Sequence, residues 1–431
     1  MVCKGNAMMQ RRTWLAGSLC AAATVGAPTL ARAQAGAARV VVVGGGFGGA
    51  TVARYLRQYA PSIHVTLVEP ATRFYTCPYS NLFLGGLRTW ESLGHGYDGL
   101  HAAGVQIVHA TAQDVDAHAH TLKLSDGSTL AWDKLVLSPG VDMRWNAIQG
   151  YDAAAAEKAP HAWKAGPQTL LLRRQMEAMP DGGTFIMAIP DTPYRCPPGP
   201  YERAAMVAHY FKQHKPRSKI LLLDAKNNFS KKALFLQGWK ALYGDMIEWV
   251  SLAEDGQVVR VDPATLEVET FFGGRHKADV LNVIPPQKAG FIAGRAGVTD
   301  HSGWVPVKGE TFESVQVPGV HVVGDASLAG PMPKSGFSAN NQGKLVAAVV
   351  AAALLGKPVP TAWYANTCYS LIGPGYGIAV SGVYEAREGR VVDIHGSNAT
   401  SPLDADLAFR AAEARYGASW YAAISKDIWD R

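Results

Sequence analysis

One stretch, "RVVVVGGGFGGATVARYLRQYAPSIHVTLVEP" (residues 39–70), constrains the fold of this 431-residue chain more than any other. A β-branched run enters three glycines spaced as Gly44-x-Gly46-x-x-Gly49, a helical segment follows, and a second strand ends in Glu69. Glycines at this spacing allow a tight turn, close approach of the backbone to a pyrophosphate and close helix packing. Glu69 stands where an acidic residue binds ribose hydroxyls. The stretch therefore predicts a dinucleotide-binding βαβ unit.

The first 35 residues are typical of an export signal. Arg11 and Arg12 precede a short apolar stretch at residues 15–25, and small residues ending in "ARAQA" follow. We predict a twin-arginine signal peptide over residues 1–35 and a periplasmic location, with a chance arginine pair in a general secretory signal as the alternative. No later stretch has the roughly 18 consecutive apolar residues of a membrane helix, so no integral membrane segment is predicted.

Removal of this signal would change both the charge and the set of cysteines. The segment has four basic residues and no acidic ones, so 37 Lys and Arg would remain against 35 Asp and Glu, and the net charge would fall from +6 to +2. A nearly neutral chain gives no reason to predict nucleic-acid binding. Of the five cysteines, Cys77, Cys196 and Cys368 would remain, which is an odd number in an oxidising compartment.

Two later stretches extend the prediction. Residues 133–145, "DKLVLSPGVDMRW", are a strand that runs into a Pro-Gly turn, and residues 317–327, "VPGVHVVGDAS", are a strand that ends in Gly324-Asp325. Together with the glycine motif, they resemble flavoproteins with two dinucleotide-binding domains, in which such an aspartate contacts the ribityl chain of FAD. A helix is expected after this strand, and its N-terminal dipole could stabilise negative charge on a reduced flavin.

The middle of the chain is predicted to form a second α/β block, residues 156–286, that lacks a nucleotide motif. Its first strand runs into "PDTPYRCPPGPYERAA", where prolines replace the glycines and no phosphate cradle can form. We therefore expect no use of NAD(P). Residues 36–155 and 287–358 form the predicted FAD-binding domain, and residues 359–431 form an aromatic-rich α+β part. The predicted fold class is α/β, with two Rossmann-like domains of the glutathione-reductase type.

Cys196 and Cys368 are 172 residues apart, so a bond between them would be tertiary rather than a short Cys-x-x-Cys motif. Cys196 precedes a predicted helix, whose N-terminus would favour a thiolate. A purely structural disulfide remains an open interpretation of this pair. Cys77 has no partner nearby in the sequence.

Seven stretches of the chain are the glycine motif, "FYTCPYSN", "RCPPGPYERA", "NVIPPQKAGFIA", "GDAS", "MPKSGFSANNQGK" and "NTCYSLIGPGYGI". In this order they resemble the flavoprotein subunit of flavocytochrome c, the periplasmic sulfide dehydrogenases, and the resemblance covers essentially the whole mature chain. It implies that Cys77 is bonded through sulfur to the 8α-methyl group of FAD. It also implies that Cys196 and Cys368 form a redox-active disulfide over the flavin.

The resemblance further implies an enzyme, a sulfide dehydrogenase. Hydrosulfide would attack the disulfide by thiol–disulfide exchange, with Cys368 as the flavin-side sulfur and Cys196 as the outer one. Glu202, about one turn after Cys196, is nominated to manage the proton, and a favourable first-turn helix acid is its alternative interpretation. Electrons would pass to haem on a c-type cytochrome partner, because this chain has no Cys-x-x-Cys-His motif of its own, and residues 359–431 are expected to form the interface with this cytochrome. No metal site is predicted.

Three other functions stay open at this point. A sulfide:quinone oxidoreductase would share the fold, the cysteine pair and the substrate but would dock on a membrane, and the export signal and "FYTCPYSN" speak against it. A flavin-dependent dehydrogenase of thiols or other sulfur compounds could use the same disulfide. A non-catalytic accessory flavoprotein of a sulfur-oxidising complex would not turn over sulfide at all.

Overall fold

A computed structural model describes residues 37–430, so the predicted signal peptide lies outside the described residues. The helices are α1 (Phe47–Tyr59), α2 (Ser80–Leu84), α3 (Asp98–Ala102), α4 (Pro167–Ala178), α5 (Gly199–His214), α6 (Lys232–Tyr243), α7 (Phe291–Arg295), α8 (Gly336–Leu354) and α9 (Leu407–Trp429).

The strands, in chain order, are β1 (Arg39–Val43), β2 (His64–Val68), β3 (Phe74–Tyr75), β4 (Gly94–His95), β5 (Gln106–Val108), β6 (Ala112–Asp116), β7 (Thr121–Leu124), β8 (Thr129–Ala131), β9 (Lys134–Leu137), β10 (Val141–Met143), β11 (Thr184–Ile189), β12 (Lys219–Asp224), β13 (Ile247–Val250), β14 (Val258–Asp262), β15 (Glu267–Thr270), β16 (Arg275–Lys277), β17 (Val280–Val283), β18 (Gln287–Ala289), β19 (Val305–Pro306), β20 (Val320–Val322), β21 (Ser327–Leu328), β22 (Trp363–Gly373), β23 (Tyr376–Arg387), β24 (Arg390–Asp393) and β25 (Ala399–Thr400).

The first sheet is a parallel sheet in the order β20-β9-β1-β2-β5, with β1 at its centre. The four valines of β1 are buried, as expected for a parallel strand that is covered on both faces. Helices α1 and α8 pack against each other. They approach closely because both have glycine at the crossing, and a Cβ added at Gly343 would lie 2.8 Å from the Gly48 carbonyl oxygen.

The turn between β1 and α1 requires its glycines. Gly44 has φ +101°, a left-handed conformation, and an added Cβ would overlap the Ser138 carbonyl oxygen. At Gly49 an added Cβ would overlap the carbonyl oxygen of Gly44. The first and third glycines of the motif therefore allow the turn and the close packing of α1 that the sequence predicts.

The central part contains the second parallel sheet, in the order β13-β12-β11-β17, with an antiparallel β14-β15-β16 sheet beside it in the chain. Helix α5 connects β11 to β12, so this unit repeats the strand–helix–strand order of the first one. Its connecting loop, residues 190–198, contains prolines where the first unit has glycines.

The C-terminal part is a long β22–β23 hairpin, extended by β24 and β25 and covered by α9. The end of α9 reaches back to the first unit, where Trp429 Nε1 donates to the Gly45 carbonyl oxygen at 3.3 Å. Within residues 37–430, no helix combines the length and the apolar character that a membrane crossing needs.

We predict that Gly49→Ala destabilises the fold by about 1–3 kcal/mol, because the new methyl group must push α1 away from Gly44. Urea unfolding would measure this loss. Gly294→Ala is the matched control, since an added Cβ there meets nothing within 4 Å. Equal stability of the two variants would contradict the packing role of Gly49.

Candidate active site

One cavity of about 720 Å³ collects nine of the ten site residues that the sequence predicts. They are Gly44, Gly46, Glu69, Cys77, Cys196, Glu202, Gly324, Asp325 and Cys368. The tenth, Gly49, is not among the lining residues and packs against the turn from within α1. All three parts of the chain contribute to this cavity, so its chemistry depends on how they meet.

The nucleotide end of the cavity is formed by the glycine turn and by Glu69 at the end of β2. Glu69 Oε2 accepts the Gly45 N–H at 2.9 Å, and Oε1 accepts the Ala71 N–H at 3.0 Å. The carboxylate thus holds the turn while it lines the cavity. This is the position in which an acidic residue can bind ribose hydroxyls.

Asp325 lies in a short 3-10 turn directly after β20. Its Oδ2 pairs with Arg195 Nε at 2.6 Å, and both side chains are largely buried, at 13% and 17% exposure. Its Oδ1 is buried and has no hydrogen-bond partner among the described residues. A buried carboxylate oxygen on a cavity wall calls for a donor, and a ribityl hydroxyl supplies one. The polar groups of the cavity therefore fit a flavin dinucleotide.

Arg195 joins two of the predicted cofactor residues and was missed by the sequence analysis. Its guanidinium pairs with Asp325, and its Nη1 lies 3.4 Å from Cys77 Sγ. Burial alone would lower the pKa of Arg195, but Cys77 and Asp325 raise it above its ordinary value. The only signal in the sequence was its place next to Cys196.

Cys196 sits at a sharp bend before α5, with φ +57°. Its N–H donates to the Lys334 carbonyl oxygen, and its own carbonyl oxygen accepts the Gly199 N–H, both at 2.8 Å. Burial raises the pKa of Cys196 well above its ordinary value, and the charges of Cys368 and Glu202 raise it further. The helix N-terminus predicted a favoured thiolate, but burial and these negative neighbours act in the opposite direction.

Cys368 lies on β22 and has a more polar surrounding. Asn366 Nδ2 donates to Cys368 Sγ at 3.3 Å, while Asn366 Oδ1 accepts a hydrogen bond from the Ser335 hydroxyl at 2.6 Å. Ser335 is the N-cap of α8, whose first residues also line the cavity. In the described residues Cys77, Cys196 and Cys368 are free thiols, so the Cys196–Cys368 disulfide stays a prediction.

Glu202, in the first turn of α5, links this helix to β22 and to α2. Its Oε1 accepts the Leu371 N–H of β22, and its Oε2 accepts Asn81 Nδ2 of α2, both at 2.9 Å. Burial raises the pKa of Glu202, and these two hydrogen bonds lower it in part. Both carboxylate oxygens therefore accept hydrogen bonds that connect segments of the chain. The role of Glu202 in proton transfer stays a prediction.

The segment His161–Trp163 is a second feature that the sequence analysis missed. His161 Nδ1 accepts the Trp163 N–H at 2.9 Å, and the Trp163 carbonyl oxygen faces both Cys77 and Arg195. Buried Arg203 donates to the carbonyl oxygen of His161 at 3.1 Å. Because Nδ1 acts as an acceptor, the His161 ring is neutral.

Three family models match the chain in succession. Residues 38–171 match the pyridine nucleotide-disulphide oxidoreductases, and residues 169–285 match the central part of the flavoprotein chain of sulfide dehydrogenase (flavocytochrome c). Residues 360–429 match the flavin-binding part of flavocytochrome c sulphide dehydrogenase.

Over 46 residues the chain is 72% identical to the flavoprotein chain of sulfide dehydrogenase (flavocytochrome c) from Chlorobaculum thiosulfatiphilum, a match that covers 11% of this chain and 96% of that sequence. The chain belongs to the family of flavocytochrome c sulfide dehydrogenase flavoprotein chains. Membership in this family supports the predictions that the chain is a sulfide dehydrogenase and that its cofactor is a flavin.

The chain is also similar, at lower sequence identity, to sulfide:quinone oxidoreductases. The mitochondrial protein of Mus musculus is 22% identical over 307 residues, which are 67% of this chain and 65% of the mouse protein. The crystal structure of the Aquifex aeolicus protein superposes with a TM-score of 0.71 at 17% identity, covering 92% of this chain and 93% of that one. Together with the family match of the first domain, this likeness confirms the predicted fold with two dinucleotide-binding domains.

We predict that acid destabilises the site through His161. Burial, with help from the positive charges of Arg203 and Lys164, lowers the pKa of His161 from 6.5 to about 3. The unfolded chain therefore binds a proton that the folded chain does not, so this contribution to stability is complete above pH 6.5 and is lost as the pH falls toward 3.

Between pH 7 and pH 5 the expected loss is about 2 kcal/mol, which urea unfolding at the two pH values would measure. His161→Asn should reduce this loss, because an amide oxygen can accept the Trp163 N–H without titrating. The exposed His101→Asn serves as the control. An unchanged pH dependence in His161→Asn would contradict the assignment.

Proposed function

We propose that this chain is the flavoprotein subunit of a periplasmic sulfide dehydrogenase, which oxidises sulfide to sulfur or polysulfide and passes the electrons to a c-type cytochrome subunit. The observation that carries the proposal is the meeting of Cys77, Cys196 and Cys368 at one cavity whose polar groups fit a flavin dinucleotide. The relative named for flavocytochrome c supports the cytochrome acceptor. The predicted export signal supports the periplasmic location.

The chain would hold FAD along the length of this cavity. Gly44 and Gly46 would bind the pyrophosphate, Glu69 a ribose, and Asp325 the ribityl chain, while Cys77 would supply the sulfur of the covalent link. Bound FAD supplies a two-electron acceptor. The guanidinium of Arg195, fixed by Asp325, would keep a positive charge beside Cys77 throughout.

The cysteine pair would carry the sulfur chemistry. Hydrosulfide attacks Cys196 Sγ, a new S–S bond forms there, and the Cys196–Cys368 bond breaks with its electron pair left on Cys368. The products are a persulfide on Cys196 and a thiolate on Cys368. Glu202 would hold or release the proton of the incoming sulfur, and its raised pKa brings it closer to neutral pH, where a general acid–base works best.

The central block supports the proposal that no NAD(P) is used. Asp224 ends the second strand of this unit, where a nucleotide domain would present its acidic residue to the cofactor. Here it accepts hydrogen bonds from Tyr201 at 2.6 Å and Trp249 at 2.9 Å and pairs with Lys226 at 2.6 Å. The Asp224 carboxylate, at the position that would bind a nucleotide ribose, is thus already hydrogen-bonded to side chains of the same block.

The covalent link is tested by the fate of the flavin on denaturation. Acid precipitation of the wild-type protein should leave FAD on the polypeptide, with a matching increase in intact mass. Cys77→Ala should release all its flavin into the supernatant, whereas Cys196→Ser, the matched control at a second cavity thiol, should retain it. Release of flavin from the wild-type protein would exclude the link.

The cysteine pair is tested by anaerobic reduction. Cys196→Ser should slow sulfide-dependent bleaching of the flavin by roughly 100-fold or more, because the attacked sulfur is gone. Dithionite, which needs no disulfide, should reduce variant and wild type alike. Full sulfide-dependent reduction in Cys196→Ser would favour the accessory, non-catalytic alternative.

The identity of the electron acceptor distinguishes the proposed function from that of a sulfide:quinone oxidoreductase. Similarity to sulfide:quinone oxidoreductases makes a quinone the second candidate. Steady-state oxidation of sulfide should proceed with a c-type cytochrome and not with a soluble ubiquinone analogue. The reverse preference would assign the quinone reaction to this chain.

A further inference from the structure

Lys231 is a buried cation beside the cysteine pair that no step described so far uses. It immediately precedes α6, and the residue is only 8% exposed. Its Nζ donates to the Cys368 carbonyl oxygen and to the Ser370 hydroxyl, both at 2.8 Å. Lys231 is not among the residues that line the cavity, so any effect on the chemistry must come from its charge and its hydrogen bonds rather than from contact with a substrate.

No carboxylate within residues 37–430 is a hydrogen-bond partner of the Lys231 ammonium. Among the described residues two lysines are buried, and the other one, Lys226, pairs with Asp224 at 2.6 Å. The two hydrogen-bond partners of Lys231 are neutral oxygens, although removal of an ammonium from water is costly unless an opposite charge offsets it. A buried ammonium in this position needs a negative charge nearby.

Four acidic groups act against the effect of burial on the pKa of this ammonium. Burial lowers the pKa of Lys231 to about 8, and the groups that oppose this change are, in decreasing order, Cys368, Glu202, Cys196 and Glu413. They belong to β22, to α5 and the loop before it, and to α9. The cysteine on β22 thus has the largest interaction with Lys231.

The two sulfurs of the pair differ in their other contacts. Cys368 Sγ receives the Asn366 amide N–H at 3.3 Å. Cys196 Sγ has no hydrogen bond among the described residues and packs near Gly199, at 3.0 Å from the position of an added Cβ. A thiolate is stabilised by an N–H donor and a nearby cation, and both are found at Cys368.

We propose that Lys231 is a positioning residue that places a positive charge behind Cys368, so that Cys368 rather than Cys196 leaves as the thiolate when hydrosulfide opens the pair. This inference rests on the proposed function for its place in the reaction. In the step itself, the hydrosulfide sulfur bonds to Cys196, the S–S bond breaks, and its electron pair goes to Cys368. The negative charge that hydrosulfide brings therefore ends beside the Lys231 ammonium.

Two substitutions at this position separate charge from hydrogen bonding. Lys231→Gln keeps an N–H donor for the Cys368 carbonyl oxygen and removes the charge, whereas Lys231→Arg keeps both. Lys232→Met is the matched control, because the neighbouring Lys232 ammonium lies over the Trp249 ring and not at the cavity. Flavin content and thermal unfolding would first establish that each holoprotein is folded.

The first readout does not depend on sulfide. Each reduced protein is alkylated with iodoacetamide across a range of pH, and mass spectrometry follows the peptide that contains Cys368, since the thiolate is the reactive form. In Lys231→Gln the pH midpoint of alkylation should rise by roughly one unit, because a nearby cation favours the charged form of an acidic group by this order. Lys231→Arg and Lys232→Met should keep the wild-type midpoint.

The second readout is the anaerobic rate of sulfide-dependent flavin reduction, which should fall about tenfold in Lys231→Gln and recover in Lys231→Arg. A midpoint that does not move in Lys231→Gln, or that moves equally in Lys231→Arg, overturns the proposal. If Lys231→Gln does not fold, Ser370→Ala removes one anchor of the ammonium and should raise the midpoint by a smaller amount. Wild-type flavin that sulfide cannot reduce would refute the proposed function, while the alkylation midpoints would still test Lys231.

Discussion

The ion pair between Arg195 and Asp325 is the interaction on which the arrangement of the cavity depends. It joins the loop before α5 to the turn after β20, two segments 130 residues apart, at a separation of 2.6 Å. The same guanidinium reaches Cys77 Sγ and the Trp163 carbonyl oxygen. One largely buried cation in the central block therefore contacts Cys77 near the start of the FAD-binding domain and Asp325 in its later segment. Loss of one partner would leave a buried charge without compensation, which is a costly state.

The position of strand β22 depends on a second pair of charged side chains, Glu202 and Lys231. Glu202 accepts the Leu371 N–H from one direction, and Lys231 donates to the Cys368 carbonyl oxygen from another. These two groups have opposite charges and bind the strand on either side of Ser370 in the sequence. The backbone of β22 around Cys368 is thus held by groups from the central block, although β22 belongs to the C-terminal part.

The sequence predicts local features of the site well and long-range ones poorly. The turn at Gly44 and Gly49 and the position of Asp325 follow from motifs of a few residues, because strand, turn and helix are adjacent in the chain. Lys231 acts on Cys368 from 137 residues away, and nothing in the residues around it distinguishes it from a surface lysine. His161 was missed for the same reason. The helix N-terminus predicted a lowered pKa for Cys196, but its pKa is raised. Burial, which the sequence does not show, outweighs the effect of the helix dipole.

The central block keeps the strand–helix–strand order of a nucleotide domain but differs from it in the loop after its first strand. In a nucleotide domain the loop after the first strand must stay open and rich in glycine so that backbone N–H groups can reach phosphate. Here prolines fill that loop, and the Asp224 carboxylate is satisfied by Tyr201 and Trp249 from within the block. The same loop carries Cys196 in a bent conformation with φ +57° at the cavity wall. The position at which a nicotinamide domain would bind its cofactor thus supports a cysteine that faces the cavity.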